Sequence, residues 1–193
     1  MTSRERPPQA GDFFVLTERG HRLRLAGRPR DAVPAYQAAA RRAPPRGLQA
    51  EARVNLALAL RGSARYAEAL AQVSGARRMF AGARDREGLA FANWARGSVL
   101  RYVGDIRASR RSFHLAKAMY ERLGSRTSYE LPGDDPGFVV RRGGLLAAHE
   151  GLAYTLCGLG GCARLSGASR ESSSTIRKPG GYFRGCVMRT GWR

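Results

Sequence analysis

A chain of 193 residues that is 43% hydrophobic is too apolar to be wholly disordered, and its single formal charge excess of +19 is large for that length. It lacks the run of about 18 apolar residues that a membrane-spanning helix requires. Three cysteines, with Cys157 and Cys162 five apart and no Cys-x-x-Cys pair, argue against a disulfide framework or a zinc site and fit a reducing cytoplasm.

The opening residues 1–10 are polar, with no apolar stretch of the signal-peptide kind, and read as a flexible N-terminus. The first helical pattern is "GDFFVLTERGHRLRLAG" at 11–27. "GRPRDAVPAYQAAARRAP" follows from Gly27, with Pro34 early enough in its helix to be tolerated. "LQAEARVNLALALRGSA" at 48–64 and "ARYAEALAQVSGARRMFA" from Ala64 form the next pair. "GLAFANWARGSVLRYVG" at 88–104 and "GDIRASRRSFHLAKAMYE" from Gly104 form the third. Residues 127–149 hold two prolines and four glycines and read as an insertion loop. "GLAYTLCGLGGCARLSG" at 151–167 then opens a partial fourth unit over 150–178. Pro179 interrupts it, and residues 179–193 read as a basic disordered tail.

These segments lie over one another without gaps. Nine residues after each copy start stand Gly20, Ala57, Gly97 and Gly160, all small. Twelve after stand Leu23, Leu60, Leu100 and Ala163, all apolar. In the second segments a small residue recurs at Ala32, Ala69, Ser109 and Ser172, and a bulky one four later at Tyr36, Val73, Phe113 and Ile176. Alanine then follows at Ala39, Ala76 and Ala116. The closing residues Gly27, Ala64 and Gly104 are 37 and 40 apart, and removing residues 127–149 restores a period of 40. Apolar residues at intervals of three and four, such as Leu56 and Leu60, or Val99, Tyr102 and Val103, mark each segment as an amphipathic helix. Small residues let paired helices approach, and bulky ones fill the gap beside them.

This pattern resembles the tetratricopeptide repeat, carried by Ala32, Tyr36, Ala39 and Pro44 in the first copy, Ala69, Val73 and Ala76 in the second, and Ser109, Phe113 and Ala116 in the third. The match spans residues 11–126 as three repeats; the period is longer than the family's, and the family's tryptophan is missing from its place. The resemblance implies an all-α fold, a short right-handed α-solenoid of helix-turn-helix hairpins, whose first helices line a concave groove.

The glycines at 158–163 match the G-x-G-x-x-G/A form of a dinucleotide-binding turn. That reading needs a preceding strand and an acid about 20 residues on. The preceding residues align with a helix, and no acid follows Glu171. These glycines therefore read as packing positions inside a helix, and no cofactor is expected. His21, His114 and His149 stand apart, with no metal or nucleophile spacing, and Asp134 and Asp135 belong to turn chemistry, so no enzyme activity or metal is expected.

One charged position repeats. Arg24, Arg61, Arg101 and Arg164 each stand thirteen residues after their copy start, and Phe14, Phe91 and Tyr154 stand three after. By the resemblance, both positions face the groove. Forked guanidinium donors beside aromatic rings suit an acidic or extended peptide. The expected function is thus a cytoplasmic, non-catalytic protein-interaction scaffold, or a regulatory domain of a larger assembly. The basic surplus and Tyr182, Phe183 and Trp192 among the tail arginines leave nucleic acid as the other partner class. An uncapped C-terminal edge would favour self-association.

Overall fold

The computed structural model describes residues 10–42, 46–127 and 148–167. Among them are seven helices and no strand: α1 (Ala10–Leu25), α2 (Pro29–Arg42), α3 (Arg46–Gly62), α4 (Tyr66–Gly82), α5 (Arg86–Val103), α6 (Ile106–Thr127) and α7 (Ala148–Leu165). Each helix packs on its neighbours in sequence. α1 pairs with α2, α3 with α4 and α5 with α6, while α2 meets α3, α4 meets α5 and α6 meets α7. The first helices of successive hairpins also touch, α3 on α5 and α5 on α7. This is an α-solenoid of helical hairpins, in which no helix buries its apolar face without the next unit.

The hairpin turns share one construction. Gly27, Ala64, Gly104 and Gly167 all take positive φ, at 73°, 61°, 91° and 76°. At each of the first three, the following N–H donates to a carbonyl five residues back, Arg28 to Leu23, Arg65 to Leu60 and Asp105 to Leu100, at 2.9–3.1 Å. These are Schellman-type closures, and glycine fits them because it has no Cβ to clash. Ala64 fills the same place with a side chain. Restarting the chain is a separate task, performed by aspartate at α5 and α6, where Asp85 accepts from the Gly88 N–H and Asp105 from the Ala108 N–H, at 2.8 and 2.9 Å, while Arg65 starts α4 without a side-chain cap.

The small positions do what their register implies. Ala57, Gly20, Gly97 and Gly160 are all buried, as are Tyr36, Val73 and Phe113 opposite. A Cβ on Gly20 would stand 2.8 Å from the Tyr36 ring, and one on Gly97 would stand 2.9 Å from the Phe113 ring. So the absent methyl on the first helix is the space that the aromatic of the second helix occupies. Phe113 is used twice, because a Cβ on Gly158 of α7 would also meet it, at 2.5 Å. Ser109 takes the alanine place and satisfies its hydroxyl by donating to the Gly97 carbonyl at 2.7 Å. The glycine-rich stretch 157–163 is therefore the interior of α7, with no strand or turn in it.

Two details depart from the sequence pattern. Leu56, Leu60 and Val99 are buried, but Tyr102 and Val103, taken with them as one apolar stripe, are each 49% exposed. They lie in the last turn of α5, where the Tyr102 ring carries the guanidiniums of Arg61 and Arg101. Of the other boundaries read from sequence, residues 128–147 of the insertion and 168–193, which include the rest of the fourth unit and the tail, lie outside the described residues.

Candidate functional site

The common turn sets the phase of the repeated arginines. Arg24, Arg61 and Arg101 each accept, through the backbone carbonyl, the N–H of the turn residue Gly27, Ala64 or Gly104 at 3.1–3.2 Å. Each therefore ends its helix at the same rotation, and the three side chains leave along one edge of the solenoid. A cation in the last turn also meets the negative end of the helix dipole.

The side chains reach forward onto the next first helix. Arg61 of α3 donates through Nη1 to the Ser98 hydroxyl of α5. Arg101 of α5 lies over Gly161 of α7, whose missing Cβ leaves room for the guanidinium. Ser98 and Gly161 stand at the same place in their copies, ten after the start. The contact thus recurs at two successive steps, from α3 to α5 and from α5 to α7; ahead of Arg24 the same place holds Leu58.

Two tyrosines complete the edge. The guanidinium carbon of Arg61 is 5.2 Å from the centre of the Tyr102 ring, and that of Arg101 is 5.8 Å from the same ring. Tyr66 lies beside it, with ring centres 6.4 Å apart. Cation–π attraction of this kind contributes about 0.5–2 kcal/mol, more as water is excluded. Burial pushes the Arg61 guanidinium below the usual arginine range; Tyr102 and Tyr66 resist that, while the charges of Arg24 and Arg101 add to it. Arginine still keeps its proton at neutral pH. The direction records a charge held away from water among like charges.

Carboxylates are engaged elsewhere. Glu18 pairs with Arg22, Asp31 with Arg28, Glu68 with Arg65 and Glu121 with Lys117, all three or four residues apart on exposed helix surface. Among the described residues, none of Arg24, Arg61 and Arg101 is paired with a carboxylate. The Nε of Arg24 and of Arg61 is buried with no acceptor. Arg24 instead faces Tyr36, whose hydroxyl also meets His21 Nδ1 at 3.2 Å.

The remaining sequence candidates are distributed differently. Arg164 lies exposed at the end of α7. Phe91 is 2% exposed, stacked on Trp94 with ring centres 5.8 Å apart, so its ring belongs to the core and offers no surface. Its position, three residues into the copy, falls in the core that α5 shares with α3 and α4. Tyr154 is 43% exposed and joins the other side of Trp94 at 6.0 Å. Phe14 is half-buried and packs edge-on against Phe13 at 5.1 Å, at the opposite end of the solenoid. The arginines of the first three copies are thus assembled on one edge, and the aromatic row is not. Tyr102, Tyr66 and Ser98 were not singled out as site residues by sequence; the available signal was that Tyr102 directly follows a repeated arginine.

Among the described residues, no group of three or more His, Cys, Asp or Glu side chains is placed to hold a metal, and no helix is long and apolar enough to cross a membrane. No protein-family model matches the chain, and no curated protein is significantly similar to it.

Proposed function

We propose that this chain is a non-catalytic scaffold of tetratricopeptide-like repeats that holds an acidic, extended peptide segment along the edge formed by Arg24, Arg61 and Arg101. One observation carries the reading: three guanidiniums from three successive hairpins share an edge on which, among the described residues, no carboxylate forms an ion pair with them. Holding Arg61 there is unfavourable in the free protein, because burial and two like charges oppose it. A negatively charged ligand relieves that opposition on binding, so the charge that strains the free state becomes binding energy in the complex. The solenoid provides the second requirement, a rigid base that repeats the donor at each unit, to which an extended chain can present successive side chains.

The test is fluorescence anisotropy with a labelled glutamate-rich peptide and a labelled single-stranded oligonucleotide, using the full chain. Saturable peptide binding that weakens about tenfold or more, the equivalent of about 1.4 kcal/mol, in Arg61→Gln/Arg101→Gln supports the reading. Peptide binding unchanged by the double substitution would falsify it. An oligonucleotide that binds more tightly than the peptide, with affinity falling steeply as salt rises, would instead assign the basic surface to nucleic acid.

A further inference from the structure

The four repeated arginines are not equal rungs. Arg61 and Arg101 share the single Tyr102 ring, at 5.2 and 5.8 Å, and Tyr66 closes on that ring at 6.4 Å. Arg24 stands on the preceding first helix, near enough to act on Arg61. Arg164 lies one hairpin further on, exposed at the end of α7. Positive charge is therefore concentrated at the α3–α5 step rather than spread as one charge per repeat.

That concentration selects among anions. A side-chain carboxylate brings one negative charge and two oxygens in one plane, enough for one guanidinium fork. Placed here it would satisfy one arginine and leave the next facing its like-charged neighbour. A phosphoryl group brings a charge of about −1.5 to −2 at neutral pH and three terminal oxygens arranged in three dimensions. It can bridge two forks that approach from different helices and neutralise both. Ser98 takes one N–H of Arg61, and among the described residues nothing accepts from the buried Nε of Arg24 or Arg61.

The flanks point to a peptide as the carrier. Leu25, directly after Arg24, is 73% exposed, and Tyr102 and Val103, directly after Arg101, are each 49% exposed. Exposed apolar side chains thus directly follow the arginine at the first and third hairpins, whereas Gly62 follows Arg61 at the second, and Tyr102 stands against the guanidiniums themselves. A free ion would use the arginines and leave those apolar side chains in water; a segment with apolar residues beside its charged one would cover both.

We infer that Arg61 and Arg101, sharing Tyr102 and supported by Arg24, form a site for the phosphorylated side chain of a partner peptide that has apolar residues next to the modified one. This rests on the acidic-peptide reading above and narrows its ligand.

The experiment uses labelled peptides of sequence Glu-Glu-Leu-X-Leu-Glu-Glu, with X as serine, glutamate or phosphoserine, and unlabelled inorganic phosphate as a competitor. The expected result is phosphoserine binding about tenfold tighter than glutamate, with phosphate a weak competitor. Arg61→Gln removes the preference. Arg101→Lys, which keeps the charge and the stem but loses the fork, reduces it severalfold without disturbing the melting curve. Glutamate and phosphoserine peptides binding alike would overturn the phosphoryl site and leave the acidic-peptide reading standing. Inorganic phosphate binding as tightly as the phosphopeptide would overturn the peptide as carrier. No binding of any of the three peptides would remove both readings. A phosphoserine preference that survives in both variants would place the anion elsewhere and also overturn the assignment.

Discussion

The seam between paired helices and the arginine edge are built from the same first helices, four residues apart in the repeat, and they obey opposite rules. At the seam, Gly20, Ala57 and Gly97 are buried with their counterparts Tyr36, Val73 and Phe113, and the volumes left by Gly20 and Gly97 are filled by the Tyr36 and Phe113 rings. At the edge, Arg24, Arg61 and Arg101 form no ion pair with a carboxylate among the described residues, and the buried Nε of Arg24 and of Arg61 has no acceptor there. The seam is solved within the chain; the edge is left unsolved. Among the described residues, nearby acids form local pairs instead, such as Arg65–Glu68, only a turn away from Arg61. A satisfied seam is what lets the edge remain unsatisfied, because stability comes from packing and the strained charges are held by it.

The sharpest way to break this contrast is to delete the seam's most used residue. Phe113→Ala removes a ring that fills space against both Gly97 and Gly158, and it should cost about 3–5 kcal/mol in urea unfolding. Arg101→Gln, at the edge, should leave the urea midpoint almost unmoved. If the two variants lose similar stability, the division of labour is wrong. Next, Gly158→Ala puts a methyl where the Phe113 ring stands, at 2.5 Å. Overpacking of about 1–3 kcal/mol outweighs the gain of about 1 kcal/mol from alanine's better helix propensity. The variant should therefore be less stable, and a more stable one would show that the ring can step aside.

Smaller effects test the turn and the edge. Ala64→Gly replaces a side chain held at φ 61° and should stabilise by about 0.5–1 kcal/mol at the melting point, provided the loss of left-handed strain exceeds the added freedom of the unfolded chain. At the α1 end, burial depresses the His21 pKa below 6.5, reinforced by Arg24 and opposed by Glu18. The unfolded chain then binds the proton first. Stability is full above about pH 6.5 and falls as pH drops through the window below it. His21→Gln should flatten that part of the stability–pH curve; an unchanged slope would mean that the proton is taken up elsewhere.

Much of this architecture was legible because packing writes itself as period. A small residue nine places into each copy, a large one opposite and a closing Gly or Ala were enough to place the hairpins, and the closing residues all take positive φ, as Arg84 also does between α4 and α5. The fourth copy was recoverable because α7 packs on α5 and α6 in the same way that α5 packs on α3 and α4, whatever length of chain intervenes. The candidate site was legible only in part. Arg24, Arg61 and Arg101 share a register, and Arg61 and Arg101 meet at the Tyr102 ring with Arg24 near Arg61. Phe91 shares a register with Tyr154 but is buried where Tyr154 is not, since α5 has a neighbour on each side and α7 has none described beyond it.

The order of small and large side chains along the chain determined by itself that the helices pair, where they turn and which positions they bury, because those outcomes depend on spacing along one helix and its nearest partner. Whether a side chain of the last turn is buried, which ring it rests on and whether an acid reaches it were decided only in three dimensions. Tyr102 holds two arginines from different helices, and Ser98 receives one from a residue 37 positions away. Such meetings depend on how one hairpin is set upon the next, and a linear pattern carries no record of that angle.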